Sequence, residues 1–165
     1  MHVADLLHGS GEMSARLVIV ALALTPLRLA FPNAGWLAWL RRHRRDVGVA
    51  AFGYAALHTA LYLVDMQTLS NILAEIGAVG IWTGWLSVAL FAPLAVTSNG
   101  YSVSRLGGTW YVLHRLAYPA ALLTLLHWVT IHNNALAAWV HFTPLITLEV
   151  YRVFTIYRAK QQPAA

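Results

Sequence analysis

The feature that most constrains this chain is a series of apolar runs, each close to the length that crosses a bilayer. A helix that spans the roughly 30 Å hydrocarbon core needs about 20 apolar residues. In lipid, every backbone polar group must be paired within the spanning structure. The pattern therefore predicts an all-α integral membrane protein, a bundle of about five transmembrane helices in one domain over residues 1–165. The expected spans are about 14–31, 47–64, 76–96, 109–131 and 138–157.

The composition agrees with this prediction and excludes several classes of site. The chain is 59% hydrophobic and 10% charged, whereas soluble domains carry about 25% charged residues. It has no cysteine, which excludes disulfides, thiolate-ligated haem, iron–sulfur clusters and cysteine-rich zinc sites. No cleavable signal peptide is expected, because basic residues follow the first apolar run rather than a small-residue cleavage site.

The basic residues predict an orientation in the lipid bilayer and not a nucleic-acid partner. The net charge is +5, but the charges lie between apolar runs. Cytoplasmic loops carry an excess of Lys and Arg, and the strongest charge run is residues 41–45. If that run is cytoplasmic, ten of the eleven Lys and Arg residues lie on or near that side, and only Arg16 does not. We therefore expect the N-terminus outside and the C-terminus in the cytoplasm.

Two histidines are predicted to share one depth in the outer half of the membrane. His58 lies twelve residues past Asp46, about 18 Å along its helix, and His127 lies at a similar height on the fourth span. Two neutral imidazoles that face each other can hold a haem iron from both axial positions. The alternative for each is a buried histidine bonded to a backbone carbonyl or a hydroxyl of a neighbouring helix.

A third histidine, His114, is expected at a second level near the cytoplasmic end of the fourth span. It precedes His127 by thirteen residues, about 20 Å along a helix axis. Thirteen steps of about 100° would place the two side chains roughly 140° apart around an ideal helix. Unless Pro119 bends the helix, they serve different neighbours.

Other polar residues have weaker signals. Arg44 and Arg115 could meet haem propionates, or could serve only the interface. Glu149 and Arg152 are three residues apart on one helix and are expected to pair. Four of the other histidines are expected to be solvated in loops or at the interface, or, in the fifth span, packed or hydrogen-bonded: His8, His132, His43 and His141.

Four segments resemble the ferric reductase-like transmembrane family, and within it the haem-binding subunits of periplasmic methionine sulfoxide reductase systems. They are HGSGEMSARL with LALTPLR, within residues 8–28; RRHRRDVGVAAFGYAALHTALY, residues 41–62; PLAVTSN, residues 93–99; and RLGGTWYVLHRLAYPAALLTLLHW, residues 105–128. Together they touch four of the five predicted spans. The spacing of the two histidines in the last segment is the most specific part of the resemblance.

The resemblance implies a cytochrome b-type electron-transfer protein of the bacterial inner (plasma) membrane. It implies electrons taken from the quinone pool or a cytoplasmic flavin donor, and passed to a periplasmic molybdenum-cofactor reductase subunit. His58, His114 and His127 match the family's haem-ligand positions, for one haem b or two, and bound FMN is left open. Arg44 stands where related eukaryotic oxidases have a further histidine, so the level of His114 has no evident second ligand.

Other functions stay open at this stage. The chain has no GxGxxG fingerprint for a dinucleotide, which favours an electron-transfer subunit over a complete enzyme. A stand-alone reductase of ferric iron or another extracellular acceptor is one alternative. A small histidine-dependent metal or proton transporter is another, although transporters often show inverted repeats around a midplane site and no repeat is evident here. A membrane anchor with incidental histidines is the third.

Overall fold

A computed structural model describes residues 3–131 and 135–161 of the chain. Within these ranges every regular element is a helix, as the sequence predicts. The elements are α1 (Val3–Ala30), α2 (Gly35–Arg42), α3 (Arg44–Met66), α4 (Leu69–Glu75), α5 (Val79–Val96), α6 (Gly100–Leu106), α7 (Gly108–His114), α8 (Ala117–Ile131) and α9 (Ala135–Gln161).

Three of these helices, α1, α3 and α5, are long and apolar enough to cross a membrane. They correspond to the first three predicted spans. The fourth is divided between α7 and α8, and α8 has only 15 residues. The fifth corresponds to α9, which carries the Glu149–Arg152 ion pair along its length. The chain is a helical membrane protein, and the count of five spans and their orientation stay predictions.

The fourth predicted span is broken at Arg115 and Leu116, between α7 and α8. Pro119 explains the position of this break. A proline ring has no N–H to donate and clashes with the carbonyl four residues earlier, which here belongs to Arg115. The ideal-helix angle between His114 and His127 therefore does not apply.

The first helix begins earlier than predicted. The first span is predicted to begin at about residue 14, yet α1 starts at Val3. No proline interrupts this segment, and side chains four residues apart along it pair with one another: His8 with Glu12 at 3.1 Å, and Glu12 with Arg16 at 2.5 Å. Such i,i+4 pairs support a helix. The expectation that His8 lies in a loop was wrong.

The bundle is built from two antiparallel helix pairs, α1 with α3 and α5 with α8. Small hydroxyl residues connect each pair: the Ser14 hydroxyl donates to the Ala51 carbonyl at 2.9 Å, and the Ser87 hydroxyl donates to the Ala120 carbonyl at 3.0 Å. Small residues let membrane helices approach closely. Helix α9 packs across α1 and α8 and completes the core with Phe142.

The short helix α2 carries two tryptophans, Trp36 and Trp39. Its Leu37 is fully buried against the bundle, whereas Trp36 and Trp39 are 63% and 55% exposed. Tryptophan is enriched at membrane–water interfaces. The arrangement therefore agrees with a helix that lies at the cytoplasmic interface, next to the arginine run.

Candidate functional site

The structure brings His58 of α3 and His127 of α8 together. Their ring centroids are 5.9 Å apart, with an angle of 84° between the ring planes. The two residues are 69 positions apart in the sequence, and each comes from a different helix pair. The matched depth predicted from counting along the two helices is therefore observed.

Backbone carbonyls fix the tautomer of both rings. The Nδ1 atom of His58 lies 2.8 Å from the Leu7 carbonyl oxygen, and the Nδ1 atom of His127 lies 2.6 Å from the Gly80 carbonyl oxygen. A carbonyl can only accept, so each Nδ1 carries the hydrogen. In a neutral imidazole of this tautomer the lone pair that binds metal is on Nε2. Metal-ligating histidines are commonly oriented by such a bond.

Each ring also lies against a helical glycine. A Cβ atom added to Gly11 of α1 would lie 2.8 Å from the Nδ1 of His58, and one added to Gly84 of α5 would lie 2.6 Å from the Nδ1 of His127. Real side chains do not approach so closely, so both positions need glycine. Sequence reasoning missed these two residues. A glycine inside a helix costs about 1 kcal/mol relative to alanine, and that cost was the available signal of a close approach.

The two histidines line a cleft between α1, α3, α5 and α8, with about 860 Å³ of space between its atoms, part of it open to the outside. The walls are largely apolar and aromatic, and include Tyr62, Trp85 and Phe91. Trp85 meets the Tyr62 ring edge-on, at a centroid distance of 6.3 Å.

The pair fits the axial positions of a haem. Metal–nitrogen bonds to histidine are about 2 Å long, so imidazoles on opposite sides of one iron have ring centroids about 6 Å apart. The observed 5.9 Å agrees with that distance. The two histidines would hold the iron, and the apolar walls of the cleft would suit a porphyrin.

A polar network borders this cleft. Glu12 pairs with both His8 and Arg16, and Arg16 donates from Nε to the Nε2 of His141 at 3.3 Å. The Nδ1 of His141 donates to the Ala137 carbonyl at 2.7 Å. The prediction that His141 has a hydrogen-bonded role is confirmed. The prediction for His132 falls outside the described residues.

His114 does not join the pair. Its Nε2 lies 3.1 Å from the Thr97 hydroxyl, which itself donates to the Pro93 carbonyl. The hydroxyl therefore accepts from His114, whose Nε2 carries the hydrogen. This tautomer is the opposite of that in His58 and His127. The ring also stacks on Trp110, with a centroid distance of 3.8 Å.

The two arginines predicted near a cofactor lie away from the cleft. Arg44 is half-buried and donates to the Thr25 hydroxyl at 3.2 Å. Arg115 is exposed at the C-terminal end of α7. Neither lines the cleft of the histidine pair, and Arg44 lies within electrostatic range of His114. A contact of these arginines with haem propionates is therefore predicted only at the level of His114.

Comparison with known proteins gives one family. The sequence pattern of the family described as "Ferric reductase like transmembrane component" matches residues 10–125. This range contains Gly11, Gly84, His58 and His114. It ends two residues before His127. No solved structure matches the chain significantly.

Curated relatives share one printed name, protein-methionine-sulfoxide reductase heme-binding subunit MsrQ. The protein from Rhizobium meliloti (strain 1021) is 41% identical over 128 residues, which cover 76% of this chain and 57% of the relative. The protein from Rhodospirillum rubrum is 43% identical over 123 residues, 72% of this chain and 57% of the relative. The protein from Xanthomonas axonopodis pv. citri is 34% identical over 166 residues, 98% of this chain and 74% of the relative. The chain thus spans a little over half the length of the first two.

Proposed function

The chain belongs to the ferric reductase-like transmembrane family, and from that premise we propose that it is a haem b-binding subunit that carries electrons across the bacterial inner membrane. The observation that carries this proposal is the geometry of His58 and His127. Their rings are separated by the distance that one iron requires, and both present the same nitrogen. A haem held by His58 and His127 would supply one-electron redox chemistry, which suits electron transfer.

The residues of the chain hold and shield the site. The carbonyls of Leu7 and Gly80 keep the Nε2 lone pairs directed away from the helices that carry those carbonyls. Gly84 leaves room for the His127 ring directly against α5. Trp85 and Phe91 line the cleft with apolar surface, which excludes water and favours the less charged form of a redox centre.

We infer the direction of electron flow from the predicted orientation and from the relatives' printed name. The donor is a quinol of the quinone pool or a cytoplasmic flavin, and the acceptor is a periplasmic methionine sulfoxide reductase that carries a molybdenum cofactor. The histidine pair is predicted to lie in the outer half of the membrane, which suits delivery to that side. Reduction of a sulfoxide takes two electrons, so two successive single-electron transfers through this chain are needed.

The test is a visible difference spectrum, dithionite-reduced minus oxidised, of the detergent-purified protein, together with a pyridine-haemochrome count of haem per chain. We expect a sharp low-spin b-type band and at least one haem per chain. Freshly purified, folded protein without haem would overturn the proposal. Metal and proton flux into vesicles would then be measured, because transport is the alternative from another class.

We expect His114→Gln to leave the band of the His58–His127 site unchanged. The side chain of His114 meets Thr97 and Trp110 and does not reach the pair. The measurement is the same spectrum, with haem counted per chain in the wild type and the variant. A count that falls from two to one would place a second haem at His114. Loss of the whole band would show that the two levels are not independent.

A further inference from the structure

A second apolar groove lies between α8 and α9, and Leu22 of α1 also contributes to its wall. It contains about 1270 Å³ of space between its atoms, part of it open to the surroundings. Its apolar walls are open to the lipid phase, since Leu122 and Val150 are 59% and 64% exposed. We call this the α8–α9 groove, and its walls include Leu122, Leu125, Leu145, Ile146, Val150 and Val153.

Three polar side chains meet beside this groove, part of the way along α9. Arg152 donates from Nη1 to the Tyr118 hydroxyl at 2.7 Å, and its Nη2 lies 2.8 Å from the Oε2 of Glu149. The guanidinium also lies 5.3 Å from the centre of the Tyr118 ring. The three side chains form one cluster, which includes the predicted Glu149–Arg152 pair. Tyr118 and Glu149 line the groove itself.

The cluster is not complete. The Oε1 of Glu149 and the Nε of Arg152 are both buried, and neither meets a hydrogen-bond partner among the described residues. One is an acceptor and the other a donor. A buried polar atom without a partner costs about 1–3 kcal/mol, and more when the group is charged. A single hydroxyl group can satisfy both, because it donates one hydrogen and accepts at its oxygen.

The depth of the cluster limits what can bring that hydroxyl. Glu149 precedes Arg158 by nine residues, about 13 Å along α9, and Arg158 is expected at the cytoplasmic interface. A phospholipid head group is held at the interface and would not reach this level. Its phosphate would also bring negative charge toward Glu149. The occupant therefore has a small uncharged head with a hydroxyl and a long apolar tail.

We propose that the α8–α9 groove binds a lipid-soluble quinol, with its phenolic hydroxyl between Glu149 and Arg152 and its tail along the exposed apolar wall. The reduced form fits better than the quinone, because only a hydroxyl can donate to the Oε1 of Glu149. Tyr118 is nine residues before His127 on the same chain segment, about 13 Å along the helix axis. This inference rests on the proposed function, in which a quinol is one of the two donors.

The decisive variant removes both charges at once. Glu149→Leu with Arg152→Leu takes away the hydroxyl-binding atoms without leaving one charge buried alone. Replacing a buried ion pair by apolar residues of similar size is often neutral for stability. The control is Tyr151→Leu, an exposed position of α9 that does not line the groove. Tyr118→Phe is a milder second variant, which removes only the hydroxyl that supports Arg152.

The probe is a decyl-tailed benzoquinol with a diazirine on the tail, photolysed in nanodiscs that contain no quinone. Labelled peptides are identified by mass spectrometry, a measurement that needs no haem. We expect label on α8 and α9 in the wild type and the control, competed by unlabelled quinol. The amount of label on the double variant should be at least tenfold lower than on the wild type. The decrease for Tyr118→Phe should be smaller.

Three results would overturn the inference: label that the double variant retains, label competed by phospholipid and not by quinol, or a groove covered by a second copy of the chain. The difference spectrum of the same samples separates this inference from the proposed function. Haem without groove labelling would refute the quinol site and leave electron transfer intact. Groove labelling without haem would refute electron transfer and leave the quinol site.

Discussion

We expect His127→Gly to lose nearly all of the b-type difference band, and His58→Gly to do the same. Each variant removes one of the two rings that are 5.9 Å apart in the cleft. With one axial ligand, the haem has neither the low-spin state nor most of its affinity. The measurement is haem per chain and the reduced-minus-oxidised spectrum after purification, with folding checked by helical circular dichroism.

Added imidazole makes this prediction sharper. In His127→Gly, free imidazole can occupy the vacated space and donate to the Gly80 carbonyl as the side chain does. We expect millimolar imidazole to restore the low-spin band in the glycine variants. The control is His43→Gly, whose ring lies in the arginine run and is hydrogen-bonded to the Trp39 carbonyl. A full band in either cleft variant without imidazole would contradict the ligand assignment.

Gly84→Ala is expected to weaken haem binding by about 10–100-fold, the range seen when groups that orient a metal ligand are lost. The new Cβ would lie 2.6 Å from the Nδ1 of His127. The ring must therefore move away from α5 and loses its hydrogen bond to the Gly80 carbonyl. Gly11→Ala should act on His58 in the same way, because the Cβ would lie 2.8 Å from its Nδ1. The measurement is haem retained per chain over a dilution series.

Two glycines of the cleft helices α1 and α3 provide matched controls. A Cβ at Gly9 of α1 or at Gly53 of α3 would meet no atom within 4 Å. In an open helical position, alanine is more favourable than glycine by roughly 0.5–1 kcal/mol. Gly9→Ala and Gly53→Ala should therefore keep the haem and unfold at a slightly higher temperature. Equal haem loss in all four variants would mean that general helix packing, and not contact with the rings, sets affinity.

The depth of the two central histidines could be read from the sequence. Helices α3 and α8 run in the same predicted direction, and the rise of about 1.5 Å per residue converts a residue count into a height. A residue count does not give the direction in which a side chain points around the helix axis once helices pack against one another. Gly11 and Gly84 matter through the neighbouring helix that each one faces, which depends on how four helices pack.

The other differences also have local physical causes. The angle predicted between His114 and His127 assumes one continuous helix, and the break at Arg115 and Leu116 removes that assumption. The position of His8 was predicted from polar composition alone. The spacing of His8, Glu12 and Arg16 at intervals of four was the helical signal in the same segment, and it outweighed the two glycines there.

Each of the two helix pairs contributes one half of the histidine site. The α1–α3 pair contains His58 with its own carbonyl and its own glycine, and the α5–α8 pair contains His127 with another such set. During synthesis the first pair leaves the ribosome well before the second. Each pair can therefore form its half of the histidine site during membrane insertion, independently of the other pair. In the proposed function, a haem held by both histidines would connect the two pairs, and its supply would then matter for assembly of the bundle as well as for electron transfer.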